Sequence, residues 1–407
     1  MTPVPSPATA PLAGVVLVDD SPGWAETVCG LSVLTRAIAA LDRAGAAVFL
    51  PFADRADPAL LARVRAELAR MPRRPDVRFG QAPPAASRLA IVTAPGVFDY
   101  RILARACEAG AAAVVAFGRP GASVFLWMVA AARADGLMTE RADGATVAGR
   151  LAAAREAVVD PGEGLCDALG ESPPAAIVDK LFRQARKSSD TWVARHIDRP
   201  ISLAVTRRLV PHPVSPNQIT VVATLIGLAG AVLLGFGTYA SQLAGAFLVT
   251  LAIIVDGCDG EVARIKFMES EFGRKLDFFL DNVVNVAAIF AVGAGYAWQT
   301  GETPYLVAST IAAVAAAASV APVYLLFFRE QKQAVQLGAP AAPPQEASLA
   351  ALVEAIAGRD FAYLILVLAL FGRAHWFAPV CVAGIMVFLA AVLVVQIRSA
   401  RRPTAGL

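Results

Sequence analysis

From Pro213 to Val255 the chain contains no Asp, Glu, Lys, Arg or His. No other feature restricts its fold as much. A bilayer core takes a helix of about 20 apolar residues, so a run this long holds two spans. The stretch GFGTYASQ, Gly235 to Gln242, divides them. Only structures that satisfy their own backbone hydrogen bonds survive in hydrocarbon, which makes these spans helices. A third span runs through the following acidic segment to about Trp298, and a fourth covers Tyr305 to Phe328. A fifth, about Phe361 to Phe377, contains Arg373 and His375, and a sixth covers Pro379 to Ile397.

Charge placement orients these six spans. Basic residues cluster before span one and after spans two, four and six, the last at Arg398, Arg401 and Arg402. The opposite loops GTYASQ and QTGET carry no Lys or Arg, and only Arg373 dissents. The positive-inside rule then puts both termini in the cytoplasm. The expected location is an inner or plasma membrane.

The segment DGCDGEVARIKFMESEFGRKLDFFLD, Asp256 to Asp281, joins spans two and three. Residues three or four apart share a helix face, so Asp256 projects with Asp259, and Asp277 with Asp281. Two adjacent helix ends then offer four carboxylates to one point. Ionised groups at a membrane are functional candidates by default. Hard divalent cations such as Mg²⁺ or Mn²⁺ are the natural counter-charge for such a cluster, and they clamp phosphate oxygens. Gly260 and Ala263 leave room near the backbone, and Arg264 supplies a planar cation suited to phosphate.

This pattern, D-x2-D-G-x2-A-R-x8-G-x3-D-x3-D, resembles the signature of the CDP-alcohol phosphotransferases. Asp256, Asp259, Gly260, Ala263, Arg264, Gly273, Asp277 and Asp281 fill every fixed position. The resemblance implies an integral membrane enzyme of six helices, usually a homodimer, with a divalent metal and a CDP-linked donor. An acceptor hydroxyl would attack the phosphate on the donor's alcohol, and CMP would leave. The resemblance makes Asp256, Asp259 and Asp277 mainly metal ligands. Asp281 becomes the general base and a further metal ligand. Asn217 and Thr220, in a PN-x-x-T pattern that recurs in the family at the first span, join Gly260, Ala263, Arg264 and Gly273 as expected CDP contacts. A basic pocket for an acceptor phosphate is expected from Arg207, Arg208, Lys266, Lys275 and Arg359, which share one side of the membrane.

Before the spans the chain reads as α/β. Short apolar runs at Gly14–Val18, Ala47–Phe52, Leu89–Ala94 and Ala112–Phe117 alternate with helical patterns, one placing Leu31, Leu34, Ile38 and Leu41 on a face, another at Pro58–Met71. That alternation predicts a parallel sheet covered on both faces. The segment order resembles a sugar-phosphate nucleotidyltransferase domain. That family's glycine-rich, cationic phosphate loop is replaced here by LVDDSPGWAETVCG, which has no Lys or Arg, and TAPG lacks the expected metal-binding aspartate. A triphosphate has no electrostatic reason to stay, so the domain is expected to be inactive. Asp19 and Asp20 are open to two readings, a metal site or a loop cap.

The expected organisation is a disordered lead at 1–13 without the features of a signal peptide, a nucleotidyltransferase-like domain at 14–176, basic juxtamembrane helices at 177–212, the six-span domain at 213–398 and a tail at 399–407. Basic residues in 177–212 suit anionic lipid head groups. The five cysteines are scattered without a CxxC pair, which argues against a disulfide framework or zinc site. A net charge of +3 gives no reason to expect nucleic acid. The leading function is transfer of a phosphatidyl or inositol-phosphate group, with a hydroxyl acceptor for which inositol phosphate is one candidate. A bifunctional cytidylyltransferase/phosphotransferase making an inositol phosphodiester and a non-catalytic membrane scaffold are the alternatives.

Overall fold

The computed structural model describes residues 11–84, 87–103, 114–119, 122–130, 133, 143–162, 164–186, 193–336 and 361–384. The chain divides into two units that are interleaved in sequence. The first comprises Met1–Ser188, Arg207–Pro213 and Glu261–Ser270; the second comprises Ser189–Thr206, Val214–Gly260 and Glu271–Leu407.

The first unit is α/β. In chain order its elements are β1 (Leu12–Val16), β2 (Thr27–Val28), β3 (Leu31–Ser32), α1 (Val33–Arg43), β4 (Ala47–Leu50), α2 (Pro58–Ala69), β5 (Val77–Phe79), β6 (Arg88–Val92), β7 (Gly96–Phe98), β8 (Val114–Phe117), β9 (Leu126–Val129), α3 (Gly144–Ala153), β10 (Ala157–Val159), β11 (Cys166–Ala168) and α4 (Pro174–Gln184). Seven strands form one sheet in the order β10-β8-β9-β6-β1-β4-β5. Side chains alternate across a strand, and the apolar runs fill both faces. Val16, Val48, Leu50, Val92 and Phe117 pack on one side; Val15, Phe49, Ile91, Ala116 and Trp127 pack on the other.

The sheet is mixed rather than wholly parallel. β9 runs antiparallel to both β6 and β8. Its sequence, LWMV, is buried throughout, and a short apolar run carries no record of its direction. The helices begin where the residues dictate. Ser32 caps α1 by accepting from the Thr35 amide, and Asp57 caps α2 ahead of Pro58 at its first position, both standard N-terminal signals.

The second unit is helical. α5 (Arg199–Leu209) begins in it, and α6 (Pro216–Gly235), α7 (Tyr239–Lys266), α8 (Glu271–Thr300), α9 (Thr303–Gln336) and α10 (Phe361–Leu370) follow. A capping box between Ser215 and Gln218, with Pro216 at the first position, starts α6. Among the described residues four helices are long and apolar enough to cross a membrane: Pro216–Gly235, Tyr239–Lys266, Glu271–Thr300 and Thr303–Ala321. The fifth expected span appears as the ten-residue α10 followed by a turn at Gly372. Most of the sixth lies outside the described residues.

Small residues bring these helices together. A Cβ added at Gly230 of α6 would meet the Gly245 carbonyl at 2.8 Å, and one at Gly245 of α7 would meet the Gly230 carbonyl at 2.6 Å. The two backbones therefore touch, as small residues permit in membrane helix pairs. Large apolar side chains such as Leu225, Phe247 and Val314 are exposed, which suits a surface facing hydrocarbon rather than water.

Candidate metal centre

Asp256 and Asp259 project from α7, one turn apart. The helix ends beyond them in a reversal that six residues write into the backbone. The Met268 amide donates to the Ala263 carbonyl at 2.8 Å, and Phe267 takes a φ of 57°, the pattern of a Schellman cap. α8 then starts at Glu271 and carries Asp277 back. Asp256, Asp259 and Asp277 each present an oxygen, and these atoms lie within 4.8 Å of one another. Asp256 and Asp259 are buried and Asp277 is half-buried.

Three close carboxylates fit a divalent cation. Each offers a hard oxygen, the ligand type that Mg²⁺ and Mn²⁺ prefer, and without a counter-charge their repulsion at this spacing is unfavourable. Asp281 is not among the three. It stands four residues beyond Asp277 on α8, and one turn of helix displaces it about 5–6 Å along the axis. Three of the four expected aspartates thus form the close group, and Asp281 follows on the same helix as Asp277.

Thr220 has a contact that its motif did not announce. It is buried on α6, and its hydroxyl donates to the Asp259 carboxylate. That bond links α6 to one of the three gathered carboxylates, a contact sequence reasoning missed. Asn217 lies in the first turn of α6, half-buried. Cys258 is fully buried with its thiol on the Ser202 carbonyl at 3.5 Å, consistent with packing. Gly257 leaves space that Arg199 and Ser202 of α5 approach: a Cβ there would lie 3.6 Å from an Arg199 guanidinium nitrogen. Nothing in the spacing pointed to Arg199, which precedes the motif by many residues.

The remaining residues are placed as follows. Gly260 and Ala263 follow Asp259 on α7, and Gly273 lies in the first turn of α8. Arg264 donates through Nε to the Ala185 carbonyl at 2.7 Å, so one edge of its guanidinium serves the backbone. Arg207 pairs with Asp179 at 2.7 Å and lies over the Phe182 ring; it already has an anionic partner. Lys275 pairs with Glu271, one turn away, at 2.7 Å. Lys266 donates to the His212 carbonyl at 2.6 Å, and Arg208 is exposed on α5. Arg359 lies outside the described residues.

In the α/β unit, Asp19 accepts from the Trp24 indole at 2.9 Å and from the Ser21 amide at 3.2 Å. This is the loop-cap reading of that residue. Asp19 and Asp20 also line a cleft of about 310 Å³ with Phe52, Arg55, Asp143 and Gly144. Arg55 comes from beyond β4, so the cleft has a cation that the first loop lacks.

Residues 213–396 match the family described as CDP-alcohol phosphatidyltransferase. The membrane half carries a CDP-alcohol phosphatidyltransferase domain. The aspartate-bearing ends of α7 and α8 fall inside that domain, and its four long apolar helices fit an integral membrane protein. Curated relatives include the bifunctional IPC transferase and DIPP synthase of Thermococcus kodakarensis, 40% identical over 106 residues, and that of Rubrobacter xylanophilus, 38% identical over 113 residues. These matches take in 26% and 27% of this chain but only 23% and 25% of the relatives' length. Among solved structures, the phosphatidylinositol phosphate synthase of Mycobacterium tuberculosis with CDP-DAG bound is 22% identical. Its likeness covers 47% of this chain and 92% of that one at a TM-score of 0.31. The same enzyme has been solved in complex with manganese and citrate.

Proposed function

We propose that this protein transfers a phosphoalcohol group from a CDP-linked donor to an acceptor hydroxyl and releases CMP. The single observation that carries this reading is the gathering of Asp256, Asp259 and Asp277 within 4.8 Å, inside the stretch that matches the CDP-alcohol phosphatidyltransferase family. Those three residues would hold the divalent ion. When bound, Mg²⁺ or Mn²⁺ supplies charge neutralisation for a diphosphate.

The chain's own residues do the rest. Thr220 keeps the Asp259 carboxylate aimed at the centre. Asp281 acts as general base and takes the proton from the acceptor hydroxyl. The acceptor oxygen forms a bond to the phosphorus that bears the donor's alcohol. The bond from that phosphorus to the bridging oxygen breaks, and its electron pair leaves on CMP. Asn217, Gly260, Ala263, Arg264 and Gly273 are proposed to line the CDP path.

The donor's alcohol is proposed to be a phosphatidyl or inositol-phosphate type. The names of the curated relatives favour the second, and they also motivate a second reading in which the whole protein is bifunctional. The α/β unit at 14–176 is proposed to be inactive, because the loop after β1 carries no Lys or Arg to hold a triphosphate. The basic segment 177–212 is proposed to lie at anionic lipid head groups. Both termini and the aspartates are proposed to be cytoplasmic, on the charge asymmetry of the loops. A homodimer seam along α9 is proposed from its run of alanines, which permit close helix approach.

The test is a panel of CDP-linked donors against candidate alcohols, read by CMP formation with purified full-length protein. Metal-dependent CMP release with one donor–acceptor pair is expected. No release with any pair, from folded protein, would leave the scaffold reading in its place. Pyrophosphate formed from CTP and a sugar phosphate would establish the bifunctional reading.

A further inference from the structure

Arg36 sits at the end of the first turn of α1 and is 2% exposed. A guanidinium carries five N–H donors and stays charged, so burying it is unfavourable unless acceptors surround it. Three backbone carbonyls do. Nε donates to Val28 at 2.7 Å, one terminal nitrogen to Cys29 at 3.3 Å and the other to Ile265 at 3.0 Å. Val28 and Cys29 belong to the β2–β3 turn. Ile265 lies in the last turn of α7, where carbonyls lack intrahelical partners and a cation is favoured.

Independent features hold the same helix end. Cys29 and Gly30 have φ of 49° and 78°, the two left-handed positions of a tight hairpin turn. That turn comes so close that a Cβ on Gly30 would meet the Val210 carbonyl at 2.7 Å and the Lys266 side chain at 3.5 Å. Phe267 occupies a left-handed position that favours glycine, and its ring packs against the core of the α/β unit. Arg43 pairs with Glu269 at 2.5 Å. A phenylalanine in a strained backbone position needs surrounding structure to hold it there, and this core supplies that structure.

We propose that Arg36 is a positioning residue for the metal centre: by holding the Ile265 carbonyl it fixes the end of the helix that carries Asp256 and Asp259. The proposal rests on reading those aspartates as metal ligands. α7 is one helix from Tyr239 to Lys266, and Asp259 lies less than two turns before Ile265. Over that length a helix transmits rotation and fraying of its end directly to its side chains. Ligands must stay within roughly half an ångström of their working geometry, so a free end would loosen the set.

Mn²⁺ binding to full-length protein in detergent, followed by the EPR signal of the free ion with no substrate present, tests this. Arg36→Gln is expected to weaken Mn²⁺ binding about tenfold, the scale seen when groups that orient ligands are removed. Arg36→Lys keeps the charge on a single donor nitrogen, without the planar fork, and is expected to recover part of the loss. Phe267→Gly keeps the left-handed turn but withdraws the ring from the core, and a similar weakening is expected. Wild-type affinity in a folded Arg36→Gln protein would overturn the proposal. Should Arg36→Gln lose its near-UV circular dichroism, Phe267→Gly decides: weakened binding supports the clasp, and wild-type affinity overturns it. Absence of Mn²⁺ binding by the wild-type protein would overturn the metal reading itself, and the clasp with it.

Discussion

The Thr220 hydroxyl donates to the Asp259 carboxylate, joining the first apolar helix to the second across 39 residues of chain. The bond spends one lone pair of Asp259 and restrains rotation of its carboxylate. Thr220→Val preserves shape and removes the donor. Metal affinity is expected to drop about tenfold or more, and Thr220→Ser should restore most of it. Titrating Mg²⁺ into the CMP-release assay gives the comparison, with EDTA-treated protein as the zero point. An unchanged metal requirement in Thr220→Val would mean that the bond only packs α6 against α7.

Asp277 and Asp281 are expected to separate by phenotype. Asp277→Asn removes one of the three gathered carboxylates, so Mn²⁺ binding and turnover should fall together. Asp281→Asn should leave Mn²⁺ binding within about threefold of wild type while turnover falls by about 10²–10⁴, the usual contribution of a general base. Turnover retained by Asp281→Asn would reject its role as base.

Much of this centre was legible in the sequence, and the reason is helical periodicity. Spacings of three and four residues put the aspartates on shared faces whatever else the fold does. Thr220 was visible as part of a pattern, but its partner was not, since a hydroxyl gives no sign of which helix it will face. Arg36 was less legible still. It stands in LSVLTRAIAALDRAGA, where an arginine reads as the polar face of an amphipathic helix. Its acceptor Ile265 lies 229 residues away, and no local rule reaches that far. In the sheet, the strands at β1, β4, β6 and β8 were found within a few residues. The antiparallel β9 was missed because direction is set by pairing, not by composition.

Glu67 ties α2 to the start of α1. It accepts from the Ser32 amide and hydroxyl at 3.1 and 2.8 Å, the Thr35 hydroxyl at 2.6 Å and Arg63 at 2.8 Å. Burial pushes its carboxyl up, but the Thr35, Ser32 and Arg63 hydrogen bonds outweigh that and leave it below the usual glutamate value of 4.5. A depressed carboxyl stabilises the fold fully above its unfolded value, and that contribution disappears as pH falls through the folded value. Thermal melts from pH 6 downward should therefore show wild type losing stability below about pH 4.5 more steeply than Glu67→Gln. At neutral pH, Glu67→Ala should destabilise the α/β unit by about 1–3 kcal/mol, because buried donors lose their acceptor. Parallel pH profiles for wild type and Glu67→Gln would refute this account.

Gly230 and Gly245 face each other with carbonyls under 3 Å from where a side chain would begin. Gly245→Val has no space to fill and would force α6 and α7 apart. A loss of about 1–3 kcal/mol is expected from such overpacking, read as a lower unfolding temperature in detergent. Because α6 carries Thr220 and α7 carries Asp259, metal affinity should decline in the same variant. Full retention of both would show that the helix pair yields without cost.

The reversal after α7 has a consequence for anyone dividing this protein. Residues 261–270 group with the α/β unit, while the helices before and after them belong to the other. A single cut near residue 188 would therefore strip the α/β unit of a stretch of sequence it is folded around, and would leave Phe267 without the core that offsets its awkward backbone. Such fragments should be less stable than their share of the intact chain. Grafting this membrane half onto a different partner would have to replace that seat as well as the linker.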